Sequence, residues 1–231
     1  MRLTAKKIAK MIDLSCVRTI SNKTDIEEMV RVARQYGFGQ VSVLQCFIPY
    51  TRLLLKEAQA VRVVGNVSFP SGSDSTSIKV AQAREMIAAG CDEIDMVMNI
   101  GKLRSGLLAE VEADVQAVIS TVRPIPVKVI IEIMCLSAEE TRQACEICLR
   151  TGASFVKTGT GWAERGTTLE DVRLIKSFVG DRIKIKASGG IRRLDTLVAM
   201  YKAGARRFGV NLKSGIKIVE ECQAQGSGIE L

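Results

Sequence analysis

Phe155-Val156-Lys157-Thr158-Gly159-Thr160-Gly161 sets a lysine at the end of a short apolar run and follows it at once with small residues and glycines. A helical pattern from Thr168 to Phe178 comes next, so the stretch reads as strand, tight loop and helix. One unit later the pattern returns in Ile183-Lys184-Ile185-Lys186-Ala187-Ser188-Gly189-Gly190, with a helix from about Leu194. Two lysines therefore stand at equivalent places, each where a strand runs out into a glycine-rich turn. If those strands are parallel neighbours, both amines open into one cleft. Lys157 and Lys186 are then the candidate active site, with Lys157 as a nucleophilic amine.

Outward from this pair the same rhythm covers the chain. Thr4 caps a short helix over Ala5 to Lys10, and Ile12 to Cys16 is the first strand. A helix from Asp25 stops at Gly37, and Val41 to Leu44 is the second strand. A helix after Pro49 runs to about Ala60, followed by strand three (Arg62 to Phe69) and a helix over Ile78 to Ala89. Strand four (Glu93 to Met98) leads into a helix through Val118, and strand five (Pro126 to Ile133) into a helix over Ala138 to Arg150. The lysine strands are six and seven; Arg206 to Val210 is the eighth, with a last helix from about Ser214. Eight alternations with gaps too short for a linker predict parallel strands closed as a (β/α)8 TIM barrel. The expected layout is one α/β domain over 1–225 with a short N-terminal helix, and a loose tail over 226–231. An open doubly wound sheet is the weaker alternative, because no G-x-G-x-x-G follows the first strand.

Composition narrows the chemistry. The chain has 231 residues and 47% apolar content, ample for one large core. The start lacks the continuous apolar run of a signal peptide, and no run is long enough to span a bilayer. A soluble, cytoplasmic protein is the expectation. Histidine is absent, which removes imidazole as base, triad member or metal ligand and argues against zinc-dependent aldol chemistry. Cys145 and Cys148 form a C-x-x-C inside a helical pattern with no second pair, so they read as core cysteines. The net charge of +8 is spread along the chain, and 4% aromatic content offers little to stack bases on. Anionic small molecules fit that balance better than nucleic acid.

Alternate residues of a barrel strand face the lumen. With Lys157 inward, the lumen should hold Lys128, Lys157, Lys184 and Lys186 against Glu93, Asp95 and Glu132. Barrel interiors are usually apolar and buried charges are costly unless paired, so this set needs a reason. An ion-pair network that merely specifies the barrel is one, and it suits the deeper Lys128 and Glu93. The chemistry of amines supplies another for the upper layer. A lysine near pKa 10.4 is almost wholly protonated at neutral pH, but a second ammonium and partial desolvation free its lone pair. Lys186 can supply that charge, and Asp95 can hold Lys186 and pass a proton through water.

Glu93-Ile94-Asp95-Met96-Val97-Met98-Asn99, Lys128-Val129-Ile130-Ile131-Glu132, Phe155-Val156-Lys157-Thr158 and Lys186-Ala187-Ser188-Gly189-Gly190-Ile191-Arg192 resemble the deoxyribose-phosphate aldolases. Gly72 in its Phe-Pro-x-Gly setting and Ile12-Asp13 add to the likeness, which runs over nearly the whole chain. The resemblance implies a TIM barrel and a class I Schiff-base mechanism without metal or other cofactor. It implies reversible cleavage of 2-deoxyribose 5-phosphate to acetaldehyde and glyceraldehyde 3-phosphate. Carried over by motif, Lys157 is the Schiff-base lysine, and Asp95 with Lys186 is the proton relay. The expected substrate contacts are Asp13, Ser15, Thr160, Gly161, Ser188, Gly189, Gly190, Gly209, Asn211, Lys213 and Ser214. The expected partners are a small aldehyde or phosphosugar and further copies of the chain in a homo-oligomer, with neither nucleic acid nor membrane.

The departures fall around the substrate. Leu14 and Ser15 stand where the family usually has His and Thr, and Leu44-Gln45 replaces an Asn-Pro or Tyr-Pro pair. Lys-Thr-Ser-Thr-Gly becomes Lys157-Thr158-Gly159-Thr160-Gly161, followed by Trp162. The phosphate turn after strand eight reads Gly209-Val210-Asn211-Leu212-Lys213-Ser214-Gly215, losing a hydroxyl pair and gaining a lysine. The glycines keep the backbone part of an anion site. The chemistry carries over better than the substrate does, so a relative acting on another carbonyl donor or sugar stays open. A non-catalytic phosphometabolite-binding barrel is the reading from a different class.

Overall fold

A computed structural model describes residues 2–56, 60–226 and 228–230. The chain enters through β1 (Arg2–Leu3) and α1 (Ala5–Lys10), whose N-terminus Thr4 caps as the sequence predicts. Eight strands then close in chain order into one parallel barrel: β2 (Ile12–Cys16), β3 (Gln40–Val43), β4 (Arg62–Val67), β5 (Glu93–Val97), β6 (Val127–Ile130), β7 (Phe155–Lys157), β8 (Lys184–Ser188) and β9 (Ala205–Asn211). Closure is made by β2 lying beside β9, with Asp13 opposite Gly209 and Ser15 opposite Asn211. The outer layer consists of α2 (Lys23–Tyr36), α3 (Ile48–Leu54), α4 (Thr76–Ala88), α5 (Ile100–Arg104), α6 (Leu108–Val122), α7 (Ala138–Arg150), α8 (Leu169–Val179), α9 (Leu194–Lys202) and α10 (Leu212–Ala224).

The apolar core is the shell between strands and helices. Leu14, Val41, Val63, Ile94, Met96, Val129, Val156 and Ile185 project from alternate strand positions into it and are buried. This alternation leaves the other face of each strand to the lumen, which is why polar residues collect there.

Several boundaries move for identifiable reasons. The helix expected at Asp25 starts at Lys23, because Asn22 caps it and Asp25 returns a bond to the Asn22 N–H at 2.9 Å. The helix after Pro49 ends at Leu54, short of Ala60; residues 57–59 lie outside those described. One helix through Val118 becomes two, α5 and α6, parted at Gly106, whose φ of +74° breaks the first. Strand five ends at Ile130 rather than Ile133, since Glu132 turns into the left-handed region at φ +46° before a 3-10 turn. The expected loose tail holds β10 (Ile229–Glu230), which pairs antiparallel with β1.

Candidate active site

The barrel lumen carries a chain of buried ion pairs. Near the N-terminal end, Glu93 accepts from Arg62 at 2.8 Å and from the Gln40 amide, and pairs with Lys128 at 2.5 Å. Lys128 also donates to Asp95 Oδ1 at 2.9 Å. Above it, Asp95 Oδ2 accepts from both Lys157 Nζ at 2.7 Å and Lys186 Nζ at 2.8 Å. Lys186 then reaches Asp13 Oδ2 at 2.5 Å, and Asp13 Oδ1 accepts from Arg207 at 3.2 Å. Strand register builds this, because Asn66, Asp95, Lys128 and Phe155 face one another on β4 to β7, while Ile130, Lys157, Lys186 and Arg207 do so on β6 to β9.

Two members of the expected lumen set are elsewhere. Lys184 is exposed at the N-terminal mouth, with its ammonium 5.6 Å from the Phe155 ring centroid; the right parity placed it one layer too low. Glu132 faces no ammonium among the described residues. It is buried and accepts from the Thr160 N–H at 3.2 and 3.3 Å, because the left-handed turn carries it off the strand. Asp13 takes its place in the charge balance. Lys128, for which the structural reading is the favoured one, also reaches the upper layer through Asp95.

Each shift has a physical cause. Burial pushes the Lys157 ammonium down from 10.5 to about 8, opposed by Asp95 and reinforced by Lys186 and Lys128. Of the two causes expected, desolvation leads and the second ammonium comes after it. Burial on its own would raise Asp95, but Lys128, Lys157 and Lys186 together hold it well below the usual carboxylate range. Asp13 is also lowered, with Lys186 outweighing burial together with Lys128 and Arg207. Lys128 is raised, since Asp95, Asp13 and Glu93 overcome its own burial.

Lys157 and Lys186 line a narrow chamber of about 20 Å³, walled by Asp13, Ser42, Asn66 and Phe69. Through Ser15, Thr160, Ser188 and Gly209 the chamber meets an open cleft of about 610 Å³ at the C-terminal face. Thr160, Gly161, Gly189, Gly190, Asn211 and Lys213, all expected substrate contacts, line that cleft. Ser214 does not; it is buried, and its N–H donates to the Asn211 side chain at 2.8 Å, so Asn211 caps α10. Arg18 donates to Gly161 O at 2.9 Å and lies 5.1 Å from the Trp162 ring centroid, forming the cleft's outer wall. A hydroxyl bridge, Thr158 to Thr167 at 2.7 Å with both on Ser188 O, ties the ends of β7 and β8 together. Gly209 is needed here, for a Cβ would meet Ser188 Oγ at 2.6 Å.

Sequence reasoning missed Ser42, Asn66, Phe69, Arg207 and Thr167. Inward parity on β3 and β4 was the available signal for the first two. Among the described residues no group of three or more His, Cys, Asp or Glu side chains could hold a metal ion. Cys145 and Cys148 are buried helix residues, with burial pushing Cys145 up to about 12.

Fold and site together define a (β/α)8 barrel with a buried cluster of lysines and carboxylates beneath an open cleft at its C-terminal face. The DeoC/LacD family aldolase model matches residues 8–218, and the chain belongs to that family. It is 42% identical to the deoxyribose-phosphate aldolase of Caldanaerobacter subterraneus over 96% of each chain. Among solved structures it superposes on "QR15, an Aldolase" with TM-score 0.88 and 39% identity, covering 94% of this chain and 96% of that one. It also matches the tetrameric deoxyribose phosphate aldolase of Aeropyrum pernix with TM-score 0.88 and 25% identity, covering 97% and 94%. The protein is an aldolase.

Proposed function

We propose that the enzyme is a class I aldolase in which Lys157 forms a Schiff base. Its proposed reaction is the reversible cleavage of 2-deoxy-D-ribose 5-phosphate to acetaldehyde and D-glyceraldehyde 3-phosphate. The observation that carries this reading is the shared contact of Lys157 and Lys186 on Asp95, in a chamber that depresses the Lys157 pKa to about 8. An amine with that value has an appreciable neutral fraction at pH 7, while Lys186 stays between two carboxylates.

Neutral Lys157 adds to the substrate carbonyl, giving a carbinolamine that loses water to an iminium. In cleavage, the hydroxyl on the third carbon gives up its proton to the Asp95–Lys186 pair through water. The bond between the second and third carbons breaks, releasing the phosphorylated aldehyde and leaving an enamine on Lys157. The pair returns a proton to the enamine carbon, and water hydrolyses the iminium to free acetaldehyde and amine.

The phosphate fits the open cleft. Gly189 and Gly190 line its wall, α10 starts beside it, and Lys213 adds a charge. The names of the relatives support the substrate. A homo-oligomer and a cytoplasmic setting are part of the proposal; the tetrameric relative supports the first, and no described helix is long and apolar enough to cross a membrane.

Incubation with acetaldehyde, borohydride reduction and peptide mapping should place one adduct on Lys157. An adduct on another residue, or ligand-induced stabilisation with no adduct and no aldehyde release, would leave a binding barrel instead.

A further inference from the structure

We propose that Asn66 and Ser42 admit a donor hydroxylated on the carbon beside its carbonyl, so that the enzyme takes hydroxyacetaldehyde as well as acetaldehyde. This rests on the Schiff-base reading of Lys157 and extends its donor class.

Asn66 is 6% exposed and Ser42 3%, and both wall the chamber that holds Lys157. The Asn66 amide nitrogen donates to Val43 O at 2.9 Å and to Ser42 Oγ at 3.0 Å. Val43 O is a carbonyl and can only accept, so the amide orientation is fixed. The other end, Oδ1, is buried with no donor among the described residues. An unpaired buried acceptor keeps the full cost of its desolvation, which a ligand hydroxyl would recover. Ser42 Oγ already accepts from Asn66, so its own hydrogen is available to donate. One free acceptor beside one free donor is the complement of a hydroxyl.

Position and size agree. Asn66 is paired in register with Asp95, whose carboxylate binds Lys157, and Asn66 and Lys157 line the same small chamber. The chamber volume of about 20 Å³ admits roughly one water-sized group. A methyl donor leaves Oδ1 and the serine hydroxyl unmatched; a hydroxymethyl donor pairs both.

The reaction balances without a further reagent. Lys157 condenses with hydroxyacetaldehyde and one water leaves. The proton on the hydroxylated carbon passes to the Asp95–Lys186 pair, giving an enamine. That carbon bonds to the carbonyl carbon of D-glyceraldehyde 3-phosphate, whose oxygen takes the proton, and water returns to release the amine. The product is the sum of the two aldehydes, a pentose 5-phosphate with a hydroxyl where acetaldehyde leaves a methylene.

The test uses the full chain with D-glyceraldehyde 3-phosphate and either aldehyde, measuring product mass and kcat/KM. Wild type should form the pentose phosphate, and Asn66→Val should lower the hydroxyacetaldehyde-to-acetaldehyde ratio of kcat/KM about tenfold. Ser42→Ala, a smaller change that keeps the fold if Asn66→Val does not, should lower it severalfold. If acetaldehyde is trapped on Lys157 but hydroxyacetaldehyde gives no product, this inference falls and the aldolase reading stands. An unchanged ratio in both variants also overturns it, since the amide then only ties β3 to β4. No adduct with either donor removes both readings.

Discussion

Lys157 and Lys186 meet on a single atom: Asp95 Oδ2 accepts from both ammonium groups, at 2.7 and 2.8 Å. One carboxylate oxygen cannot neutralise two buried cations, so the geometry favours the state in which one of them is uncharged. Asp13 decides which. It adds a second carboxylate to Lys186 at 2.5 Å and none to Lys157. On the proposed reading Lys157, lowered to about 8, is the amine that gives up its proton.

Replacing Lys186 with leucine removes the charge but keeps much of the volume. Turnover should fall by about 10²–10⁴, because proton transfer is lost along with one of the groups that depress Lys157. Steady-state cleavage assays check the rate, and borohydride trapping across pH checks the amine. Trapping should persist with its midpoint moved to higher pH. Unaltered turnover would show that Lys186 is only a counter-ion for Asp13 and Asp95.

The pH dependence of kcat/KM should rise through about 8 as Lys157 loses its proton. The same group leaves a mark on stability of opposite kind to a salt bridge. A lysine lowered from 10.5 to about 8 binds more protons unfolded than folded between those values, so its cost to the fold is full below pH 8 and is relieved as pH rises toward 10.5. Lys157→Met should therefore raise stability most at neutral pH, with the gain shrinking at alkaline pH, as measured by urea denaturation.

Asp95 is the junction of the network, touching Lys128, Lys157 and Lys186. Asp95→Asn should destabilise the fold at pH 7 by roughly 3–5 kcal/mol, the usual cost of leaving buried cations uncompensated. The carboxyl is lowered in the folded state, so its contribution is present above the unfolded carboxylate pKa and is lost as pH falls through the folded value. The gap between variant and wild type should narrow on acidification. Denaturant titrations at several pH values test this, and a pH-independent gap would assign the loss to packing instead.

The barrel and the row of inward charges were legible because two local signals agreed. The eight alternations specified parallel closure, and the lysines at two strand ends specified a shared mouth. Parity then placed Lys128, Glu93 and Asp95 inside. It could not say how far along the axis each residue sits, which is why Lys184 was assigned to the lumen although it lies at the open N-terminal end. Nor does parity survive a left-handed residue, and Glu132 left the pattern at such a position. Ser42 and Asn66 were readable as inward but silent in chemistry, since an uncharged polar residue declares its role only when its partners are known. Ser214 differs for a related reason: it stands at a helix start, but its own N–H is taken by the capping side chain of Asn211.

Lys79 is a buried lysine of another kind, paired away from the chamber. It is 0% exposed on α4, outside the lumen, where it donates to Asp114 Oδ2 at 2.6 Å and Val97 O at 3.1 Å. Its carboxylate is shared with a hydroxyl, that of Thr76 at 2.9 Å, rather than with a second cation. The pair ties α4 to α6 across the outer shell. Lys79→Met should cost on the order of 3–5 kcal/mol by stranding Asp114, and Lys79→Met with Asp114→Leu should recover most of it. In neither should the pH midpoint of borohydride trapping at Lys157 move, because neither touches the Asp95 cluster. Thermal denaturation beside that trapping profile checks both statements. A shifted midpoint in the single variant would mean that the outer shell helps to set the charge of the chamber.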